Sequence, residues 1–112
     1  NSAHGTGTRA NDSSESLAVR KVFGERTDSL PVSSIKAMLG HTMGAASAIE
    51  AITCALAICS GIIPPTVHYR ESDPECLQTV VPNHAIEAPV EVAMSNSFAF
   101  GGNISTIVMK RV

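Results

Sequence analysis

Apolar residues along this chain fall into five groups, and their spacing sorts them into helices and strands. Leu17, Ala18, Val19, Val22 and Phe23 recur at helical spacing, which predicts a short amphipathic helix closed by Gly24. Asn11-Asp12-Ser13-Ser14 ahead of it supplies N-cap chemistry, and Asp12 and Glu15 suit the positive end of the helix dipole. Pro31-Val32-Ser33-Ser34-Ile35 predicts a short strand, with Lys36 to His41 as the loop leaving its end. Val90 to Ser95 and Ile104 to Met109 are rich in β-branched residues and predict two more strands. Gly101-Gly102-Asn103 between them suits a tight reversal.

The segment 44–60 is rich in Ala and apolar on nearly every face, the pattern of a helix buried in a core. A bilayer span is the competing reading; Glu50 and several Ser and Thr residues argue against it. Gly61 stops this helix, Pro64-Pro65 forces an extended exit, and 70–76 forms a polar loop. The order of elements is α/β, in one domain over residues 1–112, with no internal repeat.

Composition narrows the partners. Hydrophobic residues make up 44% of the chain, enough for a core, and 8 basic against 10 acidic residues leave a net charge of −2. No basic stripe emerges and a single Tyr is available for base stacking, so nucleic acid is not an expected partner. Cys54, Cys59 and Cys76 contain no C-x-x-C pair, which argues against a disulfide framework or a structural zinc and fits a reducing cytoplasm. Neither a cofactor nor a metal is expected.

Three residues carry candidate chemistry because each sits in a Gly-bearing loop. His4 lies in His4-Gly5-Thr6-Gly7-Thr8 before the first helix, Lys36 follows the first strand, and His41 precedes the Ala-rich helix. In an open α/β sheet, loops at strand ends converge on one edge. Two imidazoles and an ammonium gathered there could stabilise developing negative charge. Glu50 is unfavourable inside an Ala-rich helix unless paired, which points to Lys36 as its partner.

These motifs resemble the β-ketoacyl synthases. HGTGT at 4–8, with Asp12 and Glu15 following, is similar to the family's first histidine motif. VSSIKAMLGHTMGAASAIEA at 32–51 resembles its lysine and second histidine motif. PPTVHYRESDPEC at 64–76, VPN at 81–83 and SNSFAFGG at 95–102 follow in the family's order. The resemblance implies a thiolase-like fold, of which this chain is expected to be the C-terminal half. Two histidines rather than His and Asn imply the elongating type, similar to synthase II or to the ketosynthase of type II polyketide systems.

The implied reaction is a decarboxylative Claisen condensation of acyl and malonyl thioesters carried on acyl carrier protein. By resemblance, His4 and His41 flank the malonyl thioester, and Lys36 sits behind them and holds the imidazoles neutral. Asp12, Glu15 and Glu50 match acidic positions that support the histidines. Phe100 matches a gating aromatic whose backbone N–H helps form an oxyanion hole, with Phe98 beside it. None of the three cysteines has the family's nucleophile context, and Cys54 and Cys59 read as small core residues of the helix. The nucleophile is expected in a preceding N-terminal half, with a homodimer or heterodimer in the full-length form. A non-catalytic chain-length subunit is the alternative. Such subunits often lose the histidine motif, whereas His4, Lys36 and His41 are all present here. Ala99, where the family commonly has Gly, and His68, where Asn is usual, depart from the pattern.

Overall fold

A computed structural model describes all residues from Asn1 to Val112. Helix α1 (Arg9–Phe23) and helix α3 (Ala46–Ser60) flank a mixed sheet, and a one-turn helix α2 (Lys36–Leu39) lies between them in sequence. Strands β1 (Ile62–Ile63) and β2 (Ile86–Glu87) form a small antiparallel ladder, and β3 (Val92–Phe98) pairs antiparallel with β4 (Ile104–Lys110). The rest of the sheet is parallel and made of single bridges. Ser2 lies between Ser95 of β3 and Ser33, and Val32 bridges onward to Val80. Its ladder includes Ser2 N–H to Met94 O at 2.7 Å, Ala3 N–H to Ser33 O at 2.8 Å and Val81 N–H to Val32 O at 2.8 Å.

Strand β3 shows why the helices lie on opposite faces. Side chains alternate along a strand. Ala93 packs with Cys54 and Ile58 of α3, and Ser97 reaches Glu50 of α3, whereas Asn96 reaches Glu15 of α1. Two small cores result: Ala3, Val19, Val32 and Leu77 on the α1 side, and Cys54, Ile58 and Ala93 on the α3 side.

Helix α1 begins earlier than its cap chemistry predicted. Thr8 is the N-cap, in an extended conformation and without a side-chain cap, so Asn11 to Ser14 lie inside the helix. The dipole pattern still holds: Asp12 is in the first turn, Arg20 and Lys21 are in the last, and Gly24 ends the helix at φ +54°. Lys36 to Leu39 form a helical turn rather than a loop, because the Gly40 N–H bonds back to Lys36 O at 2.9 Å before Gly40 reverses the chain. The strand expected at 31–35 shrinks to bridges at Val32 and Ser33. The pairing of β1 with β2 across the long loop had no local signal.

Helix α3 corrects a second expectation. It buries one stripe, Ala46, Glu50, Cys54, Ala57 and Ile58, against β3 and β4. Its other face stays open within this chain, with Ile52 60% and Leu56 62% exposed, and Cys59 is exposed rather than core. The span Met43–Ser60 is long and apolar enough to cross a bilayer by length and composition. Glu50 in its middle is buried in an ion pair facing the sheet, which marks a core helix. Gly61 closes α3 in the left-handed region at φ +70°, with its N–H on Ala57 O.

The open apolar face carries a prediction, since exposed apolar area favours association. The 112-residue chain by itself is expected to self-associate with rising concentration, and Leu56→Lys is expected to weaken this. Sedimentation velocity checks it; a monodisperse monomer at high concentration would refute it.

Candidate active site

The cluster is built from the backbone of His4 and Gly5 outward. The carboxylate of Glu15, buried in α1, accepts the His4 N–H at 2.9 Å on Oε1 and the Gly5 N–H at 3.0 Å on Oε2. From the other side, Ser34 Oγ donates to Gly5 O at 3.0 Å. Gly5 needs φ +42°, and a Cβ there would stand 2.6 Å from the Ser34 Cβ, so only glycine fits this peptide. These bonds set the direction in which the His4 ring leaves the sheet.

The ring points at a buried ion pair. Lys36 Nζ donates to Glu50 Oε1, and both side chains are almost entirely out of solvent; Glu50 is 1% exposed. Ser97 Oγ lies 3.5 Å from the other oxygen of Glu50. Lys36 Nζ also stands 3.4 Å from His4 Nδ1. An ammonium has only donors, so Nδ1 of His4 is the acceptor and its proton sits on Nε2. His41 reaches the same tautomer by another route: the Met43 backbone N–H donates to its Nδ1 at 3.2 Å. Met43 adopts φ +51° to do so, a conformation that costs a non-glycine residue about 1–2 kcal/mol. The two imidazoles meet edge to face, with centroids 5.5 Å apart and planes at 86°. Both therefore offer an Nε2–H.

Electrostatics keep His4 neutral. Burial lowers its pKa below the usual 6.5, and the Lys36 charge lowers it further, outweighing Glu50 and Asp12, which act in the opposite sense. Asp12 makes no bond to either histidine; its side chain accepts from Asn11 Nδ2 at 2.9 Å. Its part here is charge alone.

The two aromatics sit in different surroundings. Phe98 packs against His4, with centroids 5.4 Å apart. Phe100 is 89% exposed and lies outside the cluster, in the helical turn that follows the end of β3 at Phe98. Ala99 is extended at φ −133°, where alanine is unstrained. Lys36 and His41 open onto a cleft of about 1090 Å³ whose far wall is the segment 66–77. No cysteine joins the cluster as an activated nucleophile. Burial pushes the Cys54 thiol up, and burial with Asp73 does the same to Cys76.

Over residues 2–70 the chain matches the model of the β-ketoacyl synthase C-terminal domain. The chain belongs to the β-ketoacyl synthase family. It is 50% identical over 110 residues to nodulation protein E of Rhizobium meliloti, covering 98% of this chain and 27% of that protein. It is 49% identical over 109 residues to the tetracenomycin polyketide synthase ketoacyl synthase alpha subunit of Streptomyces glaucescens, covering 97% of this chain and 26% of that one. A solved type II polyketide acyl-carrier protein in complex with its ketosynthase bound to the hexaketide superposes with a TM-score of 0.96. That match is 40% identical and covers 99% of this chain and 27% of the solved one. The chain thus spans about a quarter of the length of these relatives.

The structure gathers His4, Lys36, His41, Glu15, Glu50 and Phe98, leaves Asp12 in the cleft wall without a hydrogen bond to the histidines, and leaves Phe100 exposed. Sequence reasoning missed Ser34, Asn96 and Ser97 as individual residues. The signal was available for the last two. Ser95-Asn96-Ser97 is a polar run inside a strand otherwise apolar, and polar side chains at buried strand positions need partners.

Two outcomes follow from this geometry. Gly5→Ala is expected to destabilise the folded protein by about 2–4 kcal/mol through strain and overlap, read as a lower denaturation midpoint. For pH, the unfolded chain takes up a proton near 6.5 that the folded His4 refuses, so stability falls as pH drops below about 6.5 through the lowered folded value. NMR titration should place the His4 midpoint below 6.5. The paired change Lys36→Met with Glu50→Gln should move it part of the way back, because Lys36 acts more strongly than Glu50, while burial, His41 and Asp12 continue to act. A midpoint unmoved in the paired variant would show that Lys36 does not outweigh Glu50 at His4.

Proposed function

We propose that this chain supplies the enolate-stabilising half of an elongating ketosynthase acting on carrier-bound acyl and malonyl thioesters. The observation that carries the reading is the pair of Nε2–H imidazoles, each held by a donor on its Nδ1. Loss of CO₂ from a malonyl thioester leaves its electron pair on the α-carbon and the thioester oxygen. Two neutral N–H donors aimed at that oxygen stabilise the enolate without surrendering a proton that would quench it. The α-carbon then attacks the carbonyl carbon of an acyl thioester, a carbon–carbon bond forms, and the sulfur leaves as thiolate. The acyl-bearing thiol comes from polypeptide outside this chain. Lys36 keeps His4 neutral, and Glu50 compensates the Lys36 charge.

An acyl carrier protein is the proposed donor of both substrates, supported by the resemblance to a ketosynthase solved with its carrier protein. The full-length protein is proposed to work as a homodimer or heterodimer. The retained histidine pair favours the catalytic reading over a chain-length subunit.

Full-length protein should form condensation product from acyl- and malonyl-carrier protein, and the 112-residue chain alone should form none. In full-length protein, His41→Ala should lower malonyl decarboxylation about 10²–10³-fold, the usual loss for one such donor. Product from the chain alone, or undiminished decarboxylation in His41→Ala, would overturn the assignment.

A further inference from the structure

The Glu15 carboxylate that sets His4 is buried and has no cationic partner, so hydrogen-bond donors must hold it. Two are the His4 and Gly5 N–H groups it positions; the third is Asn96 Nδ2, 3.3 Å from Oε1. This third donor comes from β3, on the far side of the carboxylate from α1. Asn96 could face Glu15 with its nitrogen or its oxygen, but an ionised carboxylate only accepts. The nitrogen must therefore face Glu15, which leaves Asn96 Oδ1 pointing away. There Thr106 Oγ1 meets it at 3.1 Å, and Thr106 is the residue of β4 directly opposite Asn96 in the ladder. Facing a carbonyl oxygen, the hydroxyl must donate.

We infer that Asn96 and Thr106 are positioning residues for the histidine cluster. Thr106 orients the Asn96 amide, Asn96 holds Glu15, and Glu15 sets the His4–Gly5 backbone. The relay runs from the last strand of the chain to its first loop, and every link has a defined donor and acceptor. It rests on the ketosynthase reading for its kinetic consequence but not for its structural one.

The test uses full-length protein carrying Thr106→Val, which removes the hydroxyl at nearly constant shape, and Thr106→Ser, which keeps it. In Thr106→Val, kcat for malonyl decarboxylation should fall about fivefold, the effect of roughly 1 kcal/mol in one hydrogen bond. KM for malonyl-carrier protein should hold, the melting temperature should fall by no more than about 4 °C, and Thr106→Ser should behave as wild type. Independently of any activity, hydrogen exchange in the peptide containing the His4 and Gly5 amides should quicken in Thr106→Val and return to the wild-type rate in Thr106→Ser. Wild-type protein with no decarboxylase activity would overturn the ketosynthase reading, and the exchange comparison would still decide the relay. Exchange unchanged in Thr106→Val, or equally quickened in Thr106→Ser, would overturn the relay. Asn96→Ala should quicken the same amides more than Thr106→Val does; equal or smaller quickening would also overturn it.

Discussion

A single buried ammonium–carboxylate pair, Lys36 with Glu50, is the interaction around which the rest of this structure is arranged. Taking two charges out of water is unfavourable, and removing one partner leaves the other stranded at a penalty of about 3–5 kcal/mol. The pair therefore ties α2, at the exit of the central sheet, to the middle of α3. It also explains how an otherwise apolar helix tolerates a carboxylate at its centre. A spare N–H of the ammonium then faces His4 Nδ1, so one pairing fixes a helix, a tautomer and a charge state together.

A second buried carboxylate serves a different purpose. Glu50 faces a cation and offsets its charge, whereas Glu15 faces amide N–H groups and orients the peptide that carries His4. The two lie on opposite sides of β3, reached by Asn96 on one face and Ser97 on the next. A polar triplet in a core strand is thus divided between two functions by nothing more than the alternation of strand side chains.

The chemistry assembled here is donation of hydrogen bonds, without an activated nucleophile. Its thiols are either exposed, as in Cys59, or raised by burial, as in Cys54, and an unactivated thiol is a poor acyl acceptor. The uncovered faces of α3 and β4 agree with a chain about a quarter the length of its relatives.

What the sequence determined by itself was local or chemical. Helical spacing located α1 and α3, β-branched runs located β3 and β4, and Gly24 and Gly61 marked ends that the backbone obeys. The cost of burying Glu50 named Lys36 as its partner, since no unpaired carboxylate is tolerated in an Ala-rich helix. His4, Lys36 and His41 were legible as three Gly-loop residues expected to meet at one sheet edge. Tertiary structure alone decided the rest. Ser2 joins a strand because Ser33 and Ser95 flank it, and no pattern in three residues could foretell that. Phe98 rather than Phe100 meets His4 because β3 ends at Phe98 and Phe100 falls in the helical turn beyond it. Asn96 acquires its role from an α1 carboxylate 81 residues away in sequence, and a β4 hydroxyl sets its orientation. Hydrogen-bond partners across such distances depend on sheet register and layer packing, which single-residue propensity does not encode.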